Sequence, residues 1–289
     1  MAGLEPSLGA LGGEPVPLTG GITNRNFRAR LGGVEYVIRR HGKDTGLLGI
    51  DREAERMASD VAARLGVAPA FVTTVEGGLV TSFVACAELS EHELLDRAGE
   101  LAVTLRRFHL SGLRLPTRFS VPDLLEDYGR VVGERGGELP VAYAQTAAVA
   151  ARIVAAVPLG VGLPCHNDLL PGNIIRAQDD GRILIVDWEY AGMGHPYFDL
   201  GNLSVNNGFD EAADERMLTA YHEQRPTDGR RAALKLMRIL SDAREAGWGV
   251  VQGAVSELDF DFAGYAARHF ERLLAAVGGA DFEEWLATA

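Results

Sequence analysis

The sequence predicts an α+β protein built as two lobes, a small β-rich N-terminal lobe followed by a larger helical one. Three observations carry this. Short alternating segments paired around glycines fill the first third of the 289-residue chain, helical patterns fill most of the rest, and the change falls within residues 85–90. The length suits one large domain or two ordinary ones. The change of pattern divides it into residues 1–88 and 89–289.

Residues 27–31 alternate, with Phe27, Ala29 and Leu31 on one face, and residues 34–38 follow after Gly32-Gly33. A Gly-Gly pair between short strands predicts a hairpin, because the primed turns need positive φ. The stretch 51–65, DREAERMASDVAARL, predicts a helix ended by Gly66 and Pro69. Strands at 70–75 and 79–83 are expected around a Gly77-Gly78 turn. Ser90 with Glu93 three residues on forms a capping box for a helix running to about Leu110. Helices at 123–132 and 141–157 lead to a polar loop, one apolar strand at 183–187, and a turn rich in Gly and Pro, GMGHPYFDLGN. Helical patterns at 211–224, 229–255, 259–276 and 281–287 complete the chain.

A net charge of -12 argues against a nucleic-acid partner, since phosphate backbones are bound by basic stripes; it suits a cationic ligand. No apolar run approaches the ~20 residues of a membrane-spanning helix, so no membrane insertion is expected. The first fifteen residues lack the basic start and apolar core of a secretory signal. Cys86 and Cys165, the two cysteines, make neither a disulfide framework nor a zinc site. Both are expected as small buried hydrophobes in a reducing, cytoplasmic setting. No feature sets an oligomeric state.

The chemistry concentrates in LPCHNDLLPGNII, 163–175, and ILIVDWEY, 183–190. Phosphoryl transfer from ATP needs positioning and charge neutralisation more than covalent work. One carboxylate must accept or orient the acceptor hydroxyl, and oxygen ligands must hold Mg²⁺. His166, Asp168 and Asn173 stand at the H-x-D-x-x-x-x-N spacing of kinase catalytic loops. Pro171-Gly172 permits the tight turn that lets Asp168 and Asn173 face one space. Asp187 ends an apolar strand and is thereby positioned as a carboxylate ligand of Mg²⁺, while His166 is expected only to shape the loop. Upstream, in TGGITNRN, Gly20 and Gly21 let backbone amides approach phosphates, and Thr23 and Asn24 add donors. No G-K-[ST] follows, so this is not a Walker loop. Arg39, at the end of YVIR, stands where a kinase carries its strand lysine, with Glu53 of the next helix as its expected partner. The expected architecture is therefore a two-lobe protein-kinase-like fold with a nucleotide cleft between the lobes.

These residues give the chain a family resemblance. GGITNRNF at 20–27, YVIR at 36–39, HNDLLPGN at 166–173, IVDWEYAG at 185–192, FDLGN at 198–202 and WGVVQGAVSELDFDFAGYA at 248–266 resemble the choline/ethanolamine kinase family, within the wider aminoglycoside-phosphotransferase and kinase-like fold. The resemblance runs from about Thr19 to Phe270. It implies Asp168 as catalytic base, Asn173 and Asp187 as magnesium ligands, and Arg39 on the nucleotide phosphates, held by Glu53. It implies a hinge at 81–84, with Phe83 and Val84, that holds adenine through backbone groups. Glu189 resembles the second acidic residue of the family's D-x-E pair, near metal or substrate. Trp248 and Tyr265 occupy family positions for a cage around a quaternary ammonium, which has no N–H and is held by aromatic faces.

Two departures bear on the acceptor. Glu245 stands where a fuller cage has another Trp, which favours an ammonium with N–H groups, such as ethanolamine. The aromatic and acidic stretch that follows FDLGN in animal members is here LSVNNGFDE. The first reading is an ATP- and Mg²⁺-dependent kinase of a small cationic alcohol, choline or ethanolamine. A kinase of another cationic alcohol, such as an aminoglycoside or thiamine, stays open, as does a nucleotide-binding regulator without catalysis. The intact Asp168, Asn173 and Asp187 argue against the regulator.

Overall fold

The fold is that of a computed structural model, which describes residues 8–18, 24–158 and 160–289. An antiparallel sheet forms the N-terminal lobe, from β1 (Val16–Pro17), β2 (Arg25–Leu31), β3 (Val34–Arg40), β4 (Phe71–Val75) and β5 (Gly78–Ser82), in the order β1-β2-β3-β5-β4. The hairpin forms as the Gly-Gly pair predicts: Leu31 pairs with Val34, and Gly32 and Gly33 take φ of 56° and 86°. The second turn differs by one residue. Only Gly77 has positive φ, and Gly78 already begins β5. A Cβ at Gly78 would collide with the carbonyl oxygen of Arg39, so glycine lets the two strands close there.

Helix α1 (Arg52–Arg64) crosses beneath this sheet, with the Asp51 side chain accepting from the amides of Glu53 and Ala54. The chain leaves the sheet after β5, and β6 (Cys86–Glu88) pairs instead with β8 (Ile174–Ala177), which pairs with β9 (Ile183–Ile185). A separate pair joins β7 (Leu163–Cys165) to β10 (Gly192–Gly194). The remaining helices are α2 (Glu91–Asp96), α3 (Ala98–His109), α4 (Val121–Glu134), α5 (Val141–Ala156), α6 (Pro196–Asn206), α7 (Glu211–His222), α8 (Asp228–Val255), α9 (Phe262–Val277) and α10 (Phe282–Thr288). At 28 residues, α8 is roughly 42 Å long and forms the spine of the helical lobe. It is buried on nearly every side against α4, α6 and α9, with Met237, Leu240 and Val251 in the core.

Four local expectations change. The helix opened by the Ser90 capping box breaks at Arg97, whose φ of -95° and ψ of 13° leave the helical region while its Nη2 donates to the Gly181 carbonyl at 2.7 Å. The Gly/Pro-rich stretch after Tyr190 is a strand and a helix: Pro196 takes the first helical position, where its missing N–H is harmless, and His195 caps the end through Nδ1. The strand before Asp187 stops at Ile185, and Asp187 itself turns with φ 66°. Cys165 is buried as expected, but Cys86 is exposed on the edge strand β6. No helix of the described residues is long and apolar enough to cross a membrane.

Candidate active site

The catalytic loop leaves β7 and is fixed from below. Asn167 takes φ 68°, which turns Asp168 into the cleft. The Asp199 carboxylate of α6 accepts the amides of His166 at 2.8 Å and Asn167 at 2.7 Å. His109 of α3 donates from Nε2 to the same carboxylate at 2.8 Å. Asn202, one turn on from Asp199, accepts the Leu169 amide. His166 is structural, as expected. Its Nε2 donates to the Val186 carbonyl at 2.9 Å and its Nδ1 accepts the Asp168 amide at 3.2 Å, which defines the neutral tautomer. Burial lowers its pKa in agreement. The buried trio His109, Cys165 and Asp199 lies close enough to share an ion. Asp199 is already bonded to two amides and an imidazole, so the trio reads as an anchor for the loop.

Asn173 returns to this point after the Pro171–Asn173 turn and donates from Nδ2 to the Asp168 carbonyl at 2.7 Å and to its Oδ2 at 3.0 Å. The Asn173 side-chain oxygen is thereby turned away from Asp168. It and the Asp187 carboxylate are hard oxygen donors, the kind Mg²⁺ takes.

The N-terminal lobe contributes arginines. Arg39 pairs with Asp187, with Glu189 at 3.5 Å and with Glu55 at 3.7 Å. Burial opposes the Arg39 charge, but the three carboxylates outweigh it and raise its pKa. The helix partner of Arg39 is therefore Glu55, which corrects the expectation of Glu53. On α1 the buried stripe is Ala54, Glu55, Ala58, Ser59 and Ala62, whereas Glu53 faces solvent and binds Arg56. The side chains are 1% and 57% exposed, respectively. Arg52, not singled out from the sequence, ties Glu55 at 2.7 Å to Glu189 at 3.1 Å. Glu55→Gln is expected to weaken nucleotide affinity by about tenfold or more, through loss of a charged partner of buried arginines. Glu53→Gln should leave it unchanged, as exposed substitutions do. Titration with a fluorescent ATP analogue distinguishes the two.

On the opposite wall, α8 supplies Arg244, Glu245 and Trp248. Arg244 Nη1 donates to Asp168 Oδ1 at 3.0 Å and to Glu245 Oε1 at 2.8 Å, and its guanidinium carbon lies 4.2 Å from the Tyr190 ring centroid. Tyr265 of α9 donates to Glu245 Oε2 at 2.7 Å, and Trp248 Nε1 donates to the Tyr190 hydroxyl at 2.9 Å. Trp248 and Tyr265 meet edge to face at 5.4 Å. Trp248 is buried among Tyr190, Phe262 and Val251 and also lines the cleft. Glu189, expected near metal or substrate, lies on the Asp187 side of the cleft against Arg39 and Arg52.

The two groups of residues face each other across one cleft of about 510 Å³, with Asp168 between them. Phe83 and Val84 line its far end. The Phe83 amide is used by the Glu35 carbonyl at 3.2 Å, and the Arg28 guanidinium covers the ring at 4.0 Å. Among the described residues Val84 has no backbone hydrogen-bond partner. Gly20, Gly21 and Thr23 lie outside the described residues. Asn24 is buried at the mouth of β2, where its side-chain oxygen accepts the Gly42 amide at 3.3 Å.

Two carboxyls in the cleft titrate far above their usual range. Asp168 is pushed up to about 7, chiefly by burial, with Arg244 opposing and Glu245, Asp187 and Glu189 adding to the rise. Burial and Asp187 push Glu189 up to about 7 against Arg39, Asn24 and Arg52. Both are partly protonated at neutral pH, and a bound divalent cation favours their ionised form. Binding of Mg²⁺ alone is therefore expected to release protons near pH 7, with the release falling toward zero by pH 9, where both groups are already ionised. Calorimetry in buffers of different ionisation enthalpy measures this; identical heats at pH 7 would mean carboxyls already ionised in the free protein.

Fold and site together define a phosphotransferase of the protein-kinase-like class, and residues 14–236 match the phosphotransferase enzyme family. Within it, the chain belongs to the choline/ethanolamine kinase family. A choline/ethanolamine kinase family protein from Mesorhizobium loti has the same fold, with 30% identity, a TM-score of 0.80 and coverage of 96% of this chain and 92% of that one. LicA in complex with AMP superposes with a TM-score of 0.73 at 24% identity, over 94% of this chain and 93% of that one. Protein LicA of Haemophilus influenzae is 26% identical over 223 residues, 73% of this chain and 63% of that protein. The chain thus spans less than two thirds of that relative's length.

Proposed function

We propose that the protein transfers the γ-phosphoryl group of ATP, with Mg²⁺, to the hydroxyl of a small amino alcohol of the choline or ethanolamine kind, in the cytoplasm. One observation carries this reading: Asp168 stands where the two halves of the cleft meet, its Oδ1 held by Arg244 and its Oδ2 by Asn173. The acceptor hydroxyl enters from the Trp248–Tyr265 side and gives its proton to Asp168 at Oδ2, the oxygen bonded only by a neutral amide. Asp187, Asn173 and Glu189 are the oxygen ligands that would hold magnesium. Bound there, Mg²⁺ would supply charge neutralisation for the transferring phosphoryl group. Arg39, fixed by Glu55, binds the nucleotide phosphates, and the backbone at Val84 receives adenine; that LicA was solved with AMP supports a nucleotide there.

The acceptor end fits a compact cation. Its walls are aromatic, and its one carboxylate outside the metal and base positions is Glu245. Aminoglycosides need several carboxylates spread over a wide site, and Asp210, Asp214 and Asp261 are otherwise engaged. Asp210 caps α7, Asp261 caps α9, and Asp214 is paired with Arg238 and Lys235. The test is Mg²⁺-dependent ADP release with choline, ethanolamine, thiamine and an aminoglycoside panel, with Asp168→Ala as the blank. Turnover of choline or ethanolamine, absent from the blank, supports the reading. ATP binding without turnover of any acceptor sinks it in favour of a regulator.

A further inference from the structure

Arg244 is a resident cation in the subsite for the acceptor's cation, and nothing in the chemistry of phosphoryl transfer requires one there. It is 1% exposed and lies in the cleft wall against Asp168, Glu245 and the face of Tyr190. Its Nε and Nη2 have no hydrogen-bond partner among the described residues, so the Tyr190 π-face is what meets that side of the charge. An ammonium entering from the cleft finds two remaining aromatics, Trp248 and Tyr265. These are already set edge to face against each other, and Tyr265 spends its hydroxyl on Glu245 Oε2.

The aromatic surface that would hold a permethylated ammonium is therefore partly occupied. Glu245 is the one carboxylate left at that end, and a carboxylate discriminates by hydrogen bonding. An ammonium with N–H donors can bond Glu245 and displace Nη1 or share Oε1 with it. A quaternary ammonium can do neither, and it would lie against a guanidinium of like charge.

Resting on the reading of the protein as an amino-alcohol kinase, we infer that Arg244 is its specificity-determining residue: by covering Tyr190 and pairing with Glu245, it selects an acceptor whose ammonium carries N–H and disfavours a quaternary one. The residue acts on recognition of the distal nitrogen, so its effect falls mainly on KM.

The experiment is kcat and KM for ethanolamine, its N-methyl and N,N-dimethyl derivatives, and choline, in the wild type, Arg244→Met and Arg244→Lys. In the wild type kcat/KM should fall along the series, with choline at least about tenfold below ethanolamine, the loss expected for a charge-assisted hydrogen bond. Arg244→Met keeps length and removes the charge, so the choline-to-ethanolamine ratio should rise by about tenfold or more, mainly through KM. Arg244→Lys keeps the charge and should keep the order of the series. The ratio is internal to each variant, so a general loss of activity from disturbing Asp168 does not imitate it. The wild-type series stands even if a variant fails to fold. Choline preferred by the wild type, or a ratio unmoved in a folded Arg244→Met, overturns the inference and leaves the kinase reading intact. No turnover of any of the four alcohols overturns both. Quenching of tryptophan fluorescence by ethanolamine and choline gives the same comparison without turnover: the wild type should bind ethanolamine more tightly, and equal binding counts against the inference.

Discussion

Asp168→Asn is expected to lower kcat by about 10²–10⁴-fold, the range a positioned general base contributes, with nucleotide affinity preserved. The substitution is nearly isosteric. It keeps an acceptor for Arg244 Nη1, which lies 3.0 Å from Oδ1 in the native protein, but it cannot take a proton from the acceptor. The loop should remain in place, because its backbone amides are anchored on Asp199 and Asn202 and Asn173 keeps its bond to the residue 168 carbonyl, while its bond to Oδ2 is lost. Arg39, proposed to bind the phosphates, and its partner Glu55 are in the other lobe. Loss of kcat at constant nucleotide affinity and constant melting temperature is the signature of a group used in the chemical step. A variant that keeps wild-type kcat would show that Asp168 only orients the acceptor through Arg244. A variant that loses nucleotide as well would place Asp168 in the phosphate site.

Much of the fold was legible because its signals are local. The Gly32-Gly33 hairpin, the Asp51-capped helix and the Ser90 capping box each specify their own geometry within a few residues. Asp168, Asn173 and Asp187, which line one cleft, were legible as candidates because Asp168 and Asn173 keep the spacing of kinase catalytic loops and Asp187 follows an apolar strand. What was not legible depends on tertiary contacts. Glu53 and Glu55 read alike in sequence, and only the packing of α1 decides which one meets Arg39. Pro196 and three glycines between Gly192 and Gly201 read as a turn, although Pro196 begins a helix whose inner face carries Asp199 and Asn202. The FDLGN match marked that helix, but the purpose of its polar residues is visible only where they reach the catalytic loop. Arg244 was hidden for the same reason. A helical arginine reads as solvated, and its role depends on Asp168, seventy-six residues away, and on Tyr190. Its proximity to Glu245 and Trp248 was the one available hint.

Asp199→Ala is expected to destabilise the protein by about 3–5 kcal/mol and to abolish turnover together with it. The carboxylate is fully buried and accepts from the His166 and Asn167 amides and from His109, whose other ring nitrogen meets the Tyr221 hydroxyl at 2.8 Å. Alanine leaves these buried donors without their acceptor, each at a cost of about 1–3 kcal/mol. It also frees Asn167, whose left-handed φ persists only while the surroundings hold it. Asp168 follows immediately in sequence, so release of this turn moves the base before any catalytic group is altered. Asp199→Asn separates the two effects. It fills the same volume and retains one acceptor, but its NH₂ faces an N–H donor, so part of the stability should return and little of the activity. Hydrogen exchange at the His166 and Asn167 amides reports the anchor directly: both should be protected in the wild type and exchange readily in Asp199→Ala. Retained protection at those amides would mean that the loop is held elsewhere. A large loss of kcat with unchanged melting temperature would make Asp199 a participant in the reaction. The predicted result, lost protection, lower melting temperature and lost turnover together, would place the determinant of the catalytic loop on a helix that touches neither nucleotide nor acceptor.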